Sequence, residues 1–283
     1  LAKSRTRIAL ILALIIMLSL RFAALAWVLP LFVLITGVAA AREMHMMALQ
    51  KNVRSSLAVT LSATAIFILA GWAMGPHDFI RWILPFIVVL LLAVFCVKVF
   101  LARLDNALLA IPMNVFIPLY VGLPLALGLQ VLQIDRMYFL LVLMSIWMLD
   151  SAAFFVGSRF GRHKMSPEIS PKKSWEGAAG GFAGCILIGI IFKIGMDALG
   201  ADLGLTWGEI IFVGALIGVL GQAGDLAESL IKRDAGVKDS GVAFGGHGGV
   251  LDRMDSVLFS FAAFYVFLAF AEKLPVIITS TPF

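Results

Sequence analysis

Residues 79–101 read FIRWILPFIVVLLLAVFCVKVFL. The run carries only Arg81 near its start and Lys98 near its end, and it is longer than the roughly 20 apolar residues a helix needs to cross a bilayer. In lipid a helix satisfies all its own backbone hydrogen bonds, so such a run is stable there without polar partners. Similar runs recur on both sides, near residues 7–20, 22–41, 56–74, 107–129, 137–157, 177–196, 209–228 and 254–271. Together they predict an all-α, polytopic integral membrane protein with about nine transmembrane helices. The composition agrees: 61% hydrophobic residues, 14% charged residues and a mean hydropathy of +1.03 exclude an ordinary soluble domain. Only Arg21 separates the first two runs, so one long tilted helix or a re-entrant hairpin is the alternative there. Lys3, Arg5 and Arg7 ahead of the first run also fit a signal peptide, but the many spans that follow weigh toward a retained helix.

With nine spans, seventeen of the 22 Lys and Arg residues fall on one side of the membrane. Arg21, Arg81, Arg136, Lys193 and Lys273 fall on the other. The positive-inside tendency assigns the rich side to the cytoplasm. The net charge of +5 then gathers on that inner face, where it suits anionic headgroups and anionic substrates rather than nucleic acid. Cys96 and Cys185 lie within apolar runs and imply neither a disulfide nor a metal site.

No repeat or low-complexity linker divides the chain. The division is chemical. Residues 1–145 carry polar groups almost only between spans, as packing and anchoring helices do, whereas 146–283 gather them in a transmembrane region with inner-face loops at 158–176 and 234–252. A charge at membrane depth costs about 2.5–3.5 kcal/mol on insertion scales, so polar groups gathered there invite a functional reading. Gly177, Gly181 and Gly184, then Gly214, Gly218 and Gly221, have the spacing of close helix contacts.

At the end of the eighth span stands GDLAESLIKR, 224–233. On a continuing helix, Asp225, Glu228, Ser229, Lys232 and Arg233 share one face, with acids nearer the membrane and bases further out. Taken alone this is also the pattern of a solvated helix end. Next come Lys238 and Asp239, the glycine-rich 245–249 containing His247, Gly248 and Gly249, and then Asp252, Arg253 and Asp255 at the start of the last span. Glycines permit close approach of backbone N–H groups to anionic oxygens. The helix opening near Asp252 adds a positive dipole end. A Walker-type Gly-Lys-Ser/Thr sequence is lacking, which argues against a P-loop.

The run SLIKRDAGVKDSGVAFGGHGGVLDRMD, 229–255, resembles the signature of the phosphatidate cytidylyltransferase (CDP-diacylglycerol synthase) family. It matches through Ser229, Lys232, Arg233, Lys238, Asp239, His247, Gly248, Gly249, Asp252, Arg253 and Asp255; where Gly245 stands the family often has proline. A second block, Asp150 and Ser151, then Gly161 and Arg162, then SPKKSWEG at 170–177, is also similar to the family. The resemblance is specific over 147–260 and carries nothing functional onto the N-terminal half.

It implies an enzyme that transfers CMP from CTP (or dCTP) to phosphatidic acid, releasing pyrophosphate, in the bacterial-type inner membrane with its site toward the cytoplasm. Joining two anions demands charge neutralisation, and Mg²⁺ is usually held by one or two carboxylates plus substrate oxygens. Asp225 and Asp252 are the expected metal ligands, with a second cation left open. Lys232, Arg233, Lys238 and Arg253 are expected on the phosphates, with Ser170, Lys173 and Ser174 reaching in from the other block. Ser229, Asp239, Gly248, Gly249 and Asp255 complete the expected substrate-binding set. His247 is expected as a phosphate donor or a brace of the loop rather than a general base, because a phosphate monoester is largely ionised at neutral pH. Asp150 reads equally as a partner of the metal or a loop cap. The other implied partners are membrane lipids and a second copy of the chain. Two other readings stay open, a CTP-dependent lipid kinase of the polyprenol or dolichol type and an ion-coupled transporter, although no inverted repeat supports the latter.

Overall fold

The computed structural model describes residues 19, 22, 25–100, 106–241, 243 and 248–274. The chain runs through α1 (Val28–Gln50), α2 (Leu57–Ala73), α3 (Pro76–Phe100), α4 (Ala107–Ile117), a π-turn (Pro118–Gly122), α5 (Leu123–Ile134) and α6 (Arg136–Phe160). A short hairpin, β1 (Lys164–Ser166) and β2 (Ser170–Ser174), leads into α7 (Trp175–Ala198) and α8 (Trp207–Asp234). A 3₁₀ turn (Leu251–Arg253) precedes α9 (Asp255–Phe270).

The protein is an α-helical membrane protein. Among the described residues, six stretches are long and apolar enough to cross a bilayer: α1, α3, the composite Ala107–Ile134, α6, α7 and α8. Helices α2 and α9 are apolar but shorter, and the expected span at 7–20 lies outside the described residues. The count of nine is therefore not reached among the described residues. The composite span is broken by Pro112, Pro118 and Pro124, each of which lacks a backbone donor; the π-turn accommodates them, as local π adjustments do in membrane helices.

Helix ends are set by local chemistry. Asp135 accepts from Met137 N (2.7 Å) to start α6. Ser174 accepts from Gly177 N (3.2 Å) to start α7. Thr206 and Glu209 form a capping box on α8. Helix α8 has 28 residues, about 42 Å at 1.5 Å per residue. That exceeds a hydrocarbon core of about 30 Å, so a helix of this length has turns to spare beyond an apolar layer. It runs past the expected span end at 228 to Asp234, as the shared face of residues 225–233 required. The expected loop 158–176 is also corrected: α6 continues to Phe160, and Lys164 pairs with Ser174 and Ser166 with Ser170 across an antiparallel hairpin.

Glycines let the C-terminal helices close on one another. A Cβ on Gly177 would lie 2.9 Å from Ala153 O and 3.1 Å from Gly157 Cα, so α6 and α7 touch backbone to backbone. A Cβ on Gly224 would lie 2.5 Å from Asp255 O. That contact brings the start of α9 against the turn of α8 that carries Asp225. A second core joins the two halves of the chain: Ala40, Ala41, Met44 and Met47 of α1 pack in one cluster with Val250, Leu251 and Leu258.

Candidate active site

Three segments converge at one end of the bundle: β2, the last turns of α8, and the described residues between α8 and α9, 235–241 and 248–254. From β2, Lys173 Nζ reaches Asp225 Oδ2 on α8 at 2.6 Å. Two turns on, Lys232 Nζ lies 2.5 Å from Glu228 Oε2 and 2.5 Å from Asp252 Oδ1. The Glu228 side chain is fully buried, and its Oε1 has no hydrogen-bond partner among the described residues. Removing two carboxylates and an ammonium from water is costly unless each is paired, and Lys232 answers both acids. The sequence face Asp225, Glu228, Ser229, Lys232 thus becomes a ladder of ion pairs, Lys173–Asp225 beside the hairpin and Glu228–Lys232–Asp252 further along α8.

Asp252 is held from several sides. Its Oδ2 accepts from Gly249 N (2.7 Å) and Ser240 N (2.9 Å), and Ser240 Oγ stands 2.9 Å away. Burial by itself would raise this carboxyl, but the Lys232 hydrogen bond and the two backbone N–H bonds outweigh it and hold the group down at about 2. A depressed folded-state value stabilises the fold above the ordinary carboxylate range. That contribution is lost only as the pH falls toward about 2, so the network is intact at neutral pH.

A cavity of about 600 Å³ opens beside the ladder, lined by Asp150, Lys164, Lys172, Lys173, Ser174 and Asp225 among others. Asp255 lies within electrostatic range of Asp225, Glu228 and Asp150. Among the described residues, no three His, Cys, Asp or Glu side chains converge as a ready-made metal cage. The donor set instead fits a hard cation completed by substrate oxygens. Asp225 is the more open of the two aspartates, with a side chain 32% exposed and an Oδ1 met by Ser229 Oγ at a long 3.5 Å. Asp252, 12% exposed, has both oxygens engaged.

A model described as "Cytidylyltransferase family" matches residues 3–271, nearly the whole chain. The chain belongs to the cytidylyltransferase family. It is similar to "Phosphatidate cytidylyltransferase" of Thermotoga maritima, 39% identical over 133 residues, covering 47% of this chain and 49% of that one. It is also similar to the protein of that name from Bacillus subtilis, 38% identical over 154 residues, 53% of this chain and 55% of the other. "Phosphatidate cytidylyltransferase 4, chloroplastic" of Arabidopsis thaliana is 44% identical over 129 residues, 44% of this chain and 30% of that protein. The matches span about half the length of the two bacterial relatives.

The geometry of this cytidylyltransferase-family chain sorts the residues expected from sequence. Asp225, Ser229 and Lys173 come together, as do Lys232, Asp252 and Gly249. Gly248 has φ +86°, and a Cβ there would press on Asp252 Oδ2 at 2.7 Å. Arg233 turns away from the ladder: its Nε donates to Ile169 O (3.2 Å) and its Nη1 to Val237 O (3.1 Å), tying α8 to the hairpin. Ser170 pairs within the hairpin and Ser174 caps α7. Lys238, Asp239 and Arg253 are exposed. Asp255 Oδ1 accepts from Ser256 N (2.6 Å) at the start of α9. His247 lies outside the described residues.

Sequence reasoning left Glu43 and Ser240 out of the site. Glu43, on α1, accepts from Val250 N, Leu251 N and Ser240 Oγ, each at 2.9 Å. A lone acid among Ala40, Ala41, Met44 and Met47 was the signal available, because a charge beside an apolar run needs a partner. Lys164 and Lys172, two of the seventeen basic residues that the span count puts on the inner face, line the cavity.

Proposed function

We propose that the chain is a phosphatidate cytidylyltransferase, transferring CMP from CTP (or dCTP) to phosphatidic acid. A phosphate oxygen of phosphatidate attacks the α-phosphorus of CTP. The new P–O bond forms as the α–β phosphoanhydride bond breaks, and pyrophosphate leaves. The observation that carries the reading is the ladder Lys173–Asp225, Glu228–Lys232–Asp252 beside a cavity with further lysines at 164 and 172. The lysines there can meet polyphosphate oxygens while the carboxylates can hold a hard cation.

Lys164, Lys172 and Lys173 offset the charge of the triphosphate at the mouth of the cavity. Lys232 holds Asp252 ionised and is placed to exchange a carboxylate for a phosphate oxygen through a charge-assisted hydrogen bond. Asp225, through its open Oδ1, and Asp252 would hold Mg²⁺, which supplies neutralisation of the attacking and leaving oxygens when bound.

The lipid side of the reading has its own support. An apolar groove of about 730 Å³ runs along α9 from Tyr120 and Phe259 to Phe270. Phe259 also packs on Gly224, next to Asp225. An acyl chain of phosphatidate seated in the groove would leave its headgroup at the ladder. In this reading the lysine-rich end faces the cytoplasm of a bacterial-type inner membrane, the N-terminal helices chiefly anchor and pack, and two copies associate.

The test is incubation of the purified protein with phosphatidic acid, Mg²⁺ and CTP labelled in either the α- or the γ-phosphate. Label from the α position is expected in the lipid, and label from the γ position in pyrophosphate. Label from the γ position in the lipid, with CDP released, would instead identify a lipid kinase. No labelled lipid from either substrate would refute both activities.

A further inference from the structure

We propose that Glu43 is a positioning residue for this reaction: from the N-terminal helix it fixes the backbone of 249–251 and, through Ser240, the orientation of Asp252. The inference rests on the cytidylyl-transfer reading and extends the site into the half of the chain to which sequence resemblance carried nothing.

The carboxylate is 8% exposed. Its two oxygens take different donors. Oε1 accepts from Val250 N, and Oε2 accepts from Leu251 N and lies 2.9 Å from Ser240 Oγ. Two glycines make room for it. A Cβ on Gly249 would collide with Glu43 Oε2, and one on Gly241 with Glu43 Oε1. Two of the glycines in the loop thus serve a carboxylate of the protein itself. Met44 and Met47, flanking Glu43 on α1, pack in one cluster with Val250 and Leu251, so the polar contacts sit in an apolar collar that excludes water and strengthens them.

The link to Asp252 is a single proton. Ser240 Oγ lies 2.9 Å from Glu43 Oε2 and 2.9 Å from Asp252 Oδ2, and a hydroxyl has one hydrogen to donate. When it donates to Glu43, its oxygen is free to accept from Asp252 N, 3.4 Å away. The hydroxyl thus couples the two carboxylates. Glutamine cannot reproduce this arrangement. With its amide oxygen toward Val250 N, its NH₂ faces Leu251 N; with the amide reversed, its NH₂ faces Val250 N. Either way two donors oppose each other.

Two measurements on Glu43→Gln test the proposal. Amide hydrogen exchange at 249–251 is expected to rise at least tenfold while exchange along α8 stays unchanged. The Mg²⁺ concentration giving half-maximal rate is expected to rise at least tenfold, because Asp252 is no longer held in place. A Glu43 that merely supported the fold would lower the amount of active enzyme and leave half-activation by Mg²⁺ and the KM for CTP unchanged. Ser240→Ala keeps the backbone bonds of Glu43 and removes the shared hydroxyl; the same shift in Mg²⁺ dependence, threefold or more, is expected, and this variant decides the matter if Glu43→Gln does not fold. Unchanged exchange at 249–251, or unchanged Mg²⁺ half-activation in both variants, would overturn the proposal. A wild-type protein that makes no labelled lipid would sink the activity reading instead, and the exchange measurement would still decide whether Glu43 holds the loop.

Discussion

Asp252→Asn is expected to lower turnover about 10²–10³-fold, the usual loss when one charge-stabilising group is removed from a transition state, while leaving the protein folded. Both halves of that expectation come from the hydrogen-bond pattern. An asparagine carbonyl can still accept from Gly249 N and Ser240 N, the two backbone donors that meet Oδ2. Lys232 keeps Glu228 as its partner. What disappears is the negative charge at Oδ1, the oxygen that meets the Lys232 ammonium and, in the cytidylyl-transfer reading, would meet the metal ion. Turnover measured beside a thermal unfolding curve in detergent separates the two effects. Near-wild-type turnover would show that the charge is dispensable, and a collapse of the unfolding midpoint would show that Asp252 is chiefly structural.

Lys232→Met produces the opposite balance. It leaves Glu228, fully buried, and Asp252, 12% exposed, facing each other with no ammonium between them. Breaking a buried ion pair from one side costs about 3–5 kcal/mol, because the remaining charge is uncompensated. A loss of that size is expected in the unfolding free energy. Adding Glu228→Gln to the same protein should restore part of it, since one of the two stranded charges is then gone. A lysine serving only the substrate would give a different result: turnover lost, unfolding unchanged, and no recovery from the second substitution.

The bilayer made much of this fold legible. The apolar runs at 56–74, 79–101, 137–157, 177–196 and 254–271 correspond to α2, α3, α6, α7 and α9, because a spanning helix must be apolar along its length and the sequence has little freedom to hide it. Reading failed where a helix leaves the hydrocarbon. The run at 22–41 stops at the first charge, whereas α1 continues to Gln50 with Glu43 and His45 buried. Its polar residues find partners in segments distant in sequence, Val250 and Leu251 for Glu43 and Ser55 for His45. The same limit hid the hairpin, where Ser170–Ser174 has no apolar alternation and is ordered by pairing with Lys164–Ser166.

The site was legible by residue type more than by geometry. Spacing on α8 placed Asp225, Glu228, Ser229, Lys232 and Arg233 on one face, and Ser229 does meet Asp225 while Lys232 meets Glu228. Spacing could not show that Lys232 would span two acids, nor that Arg233, one residue on, would turn to Ile169 O. Pairing across 20 residues for Lys232 and Asp252, and across 207 for Val250 and Glu43, is set by how the helices pack.

The central claim is that Asp225 and Asp252, brought in from α8 and from the turn before α9, share a phosphate-bound cation at one end of the bundle. Crystals of the protein grown with CTP and Mn²⁺ in place of Mg²⁺, measured for the anomalous signal of manganese, test it most directly. The account predicts a manganese peak bonded to Asp225, adjacent to Asp252 and in contact with the nucleotide phosphates. A peak away from both aspartates, or nucleotide bound there with no manganese beside it, would contradict it.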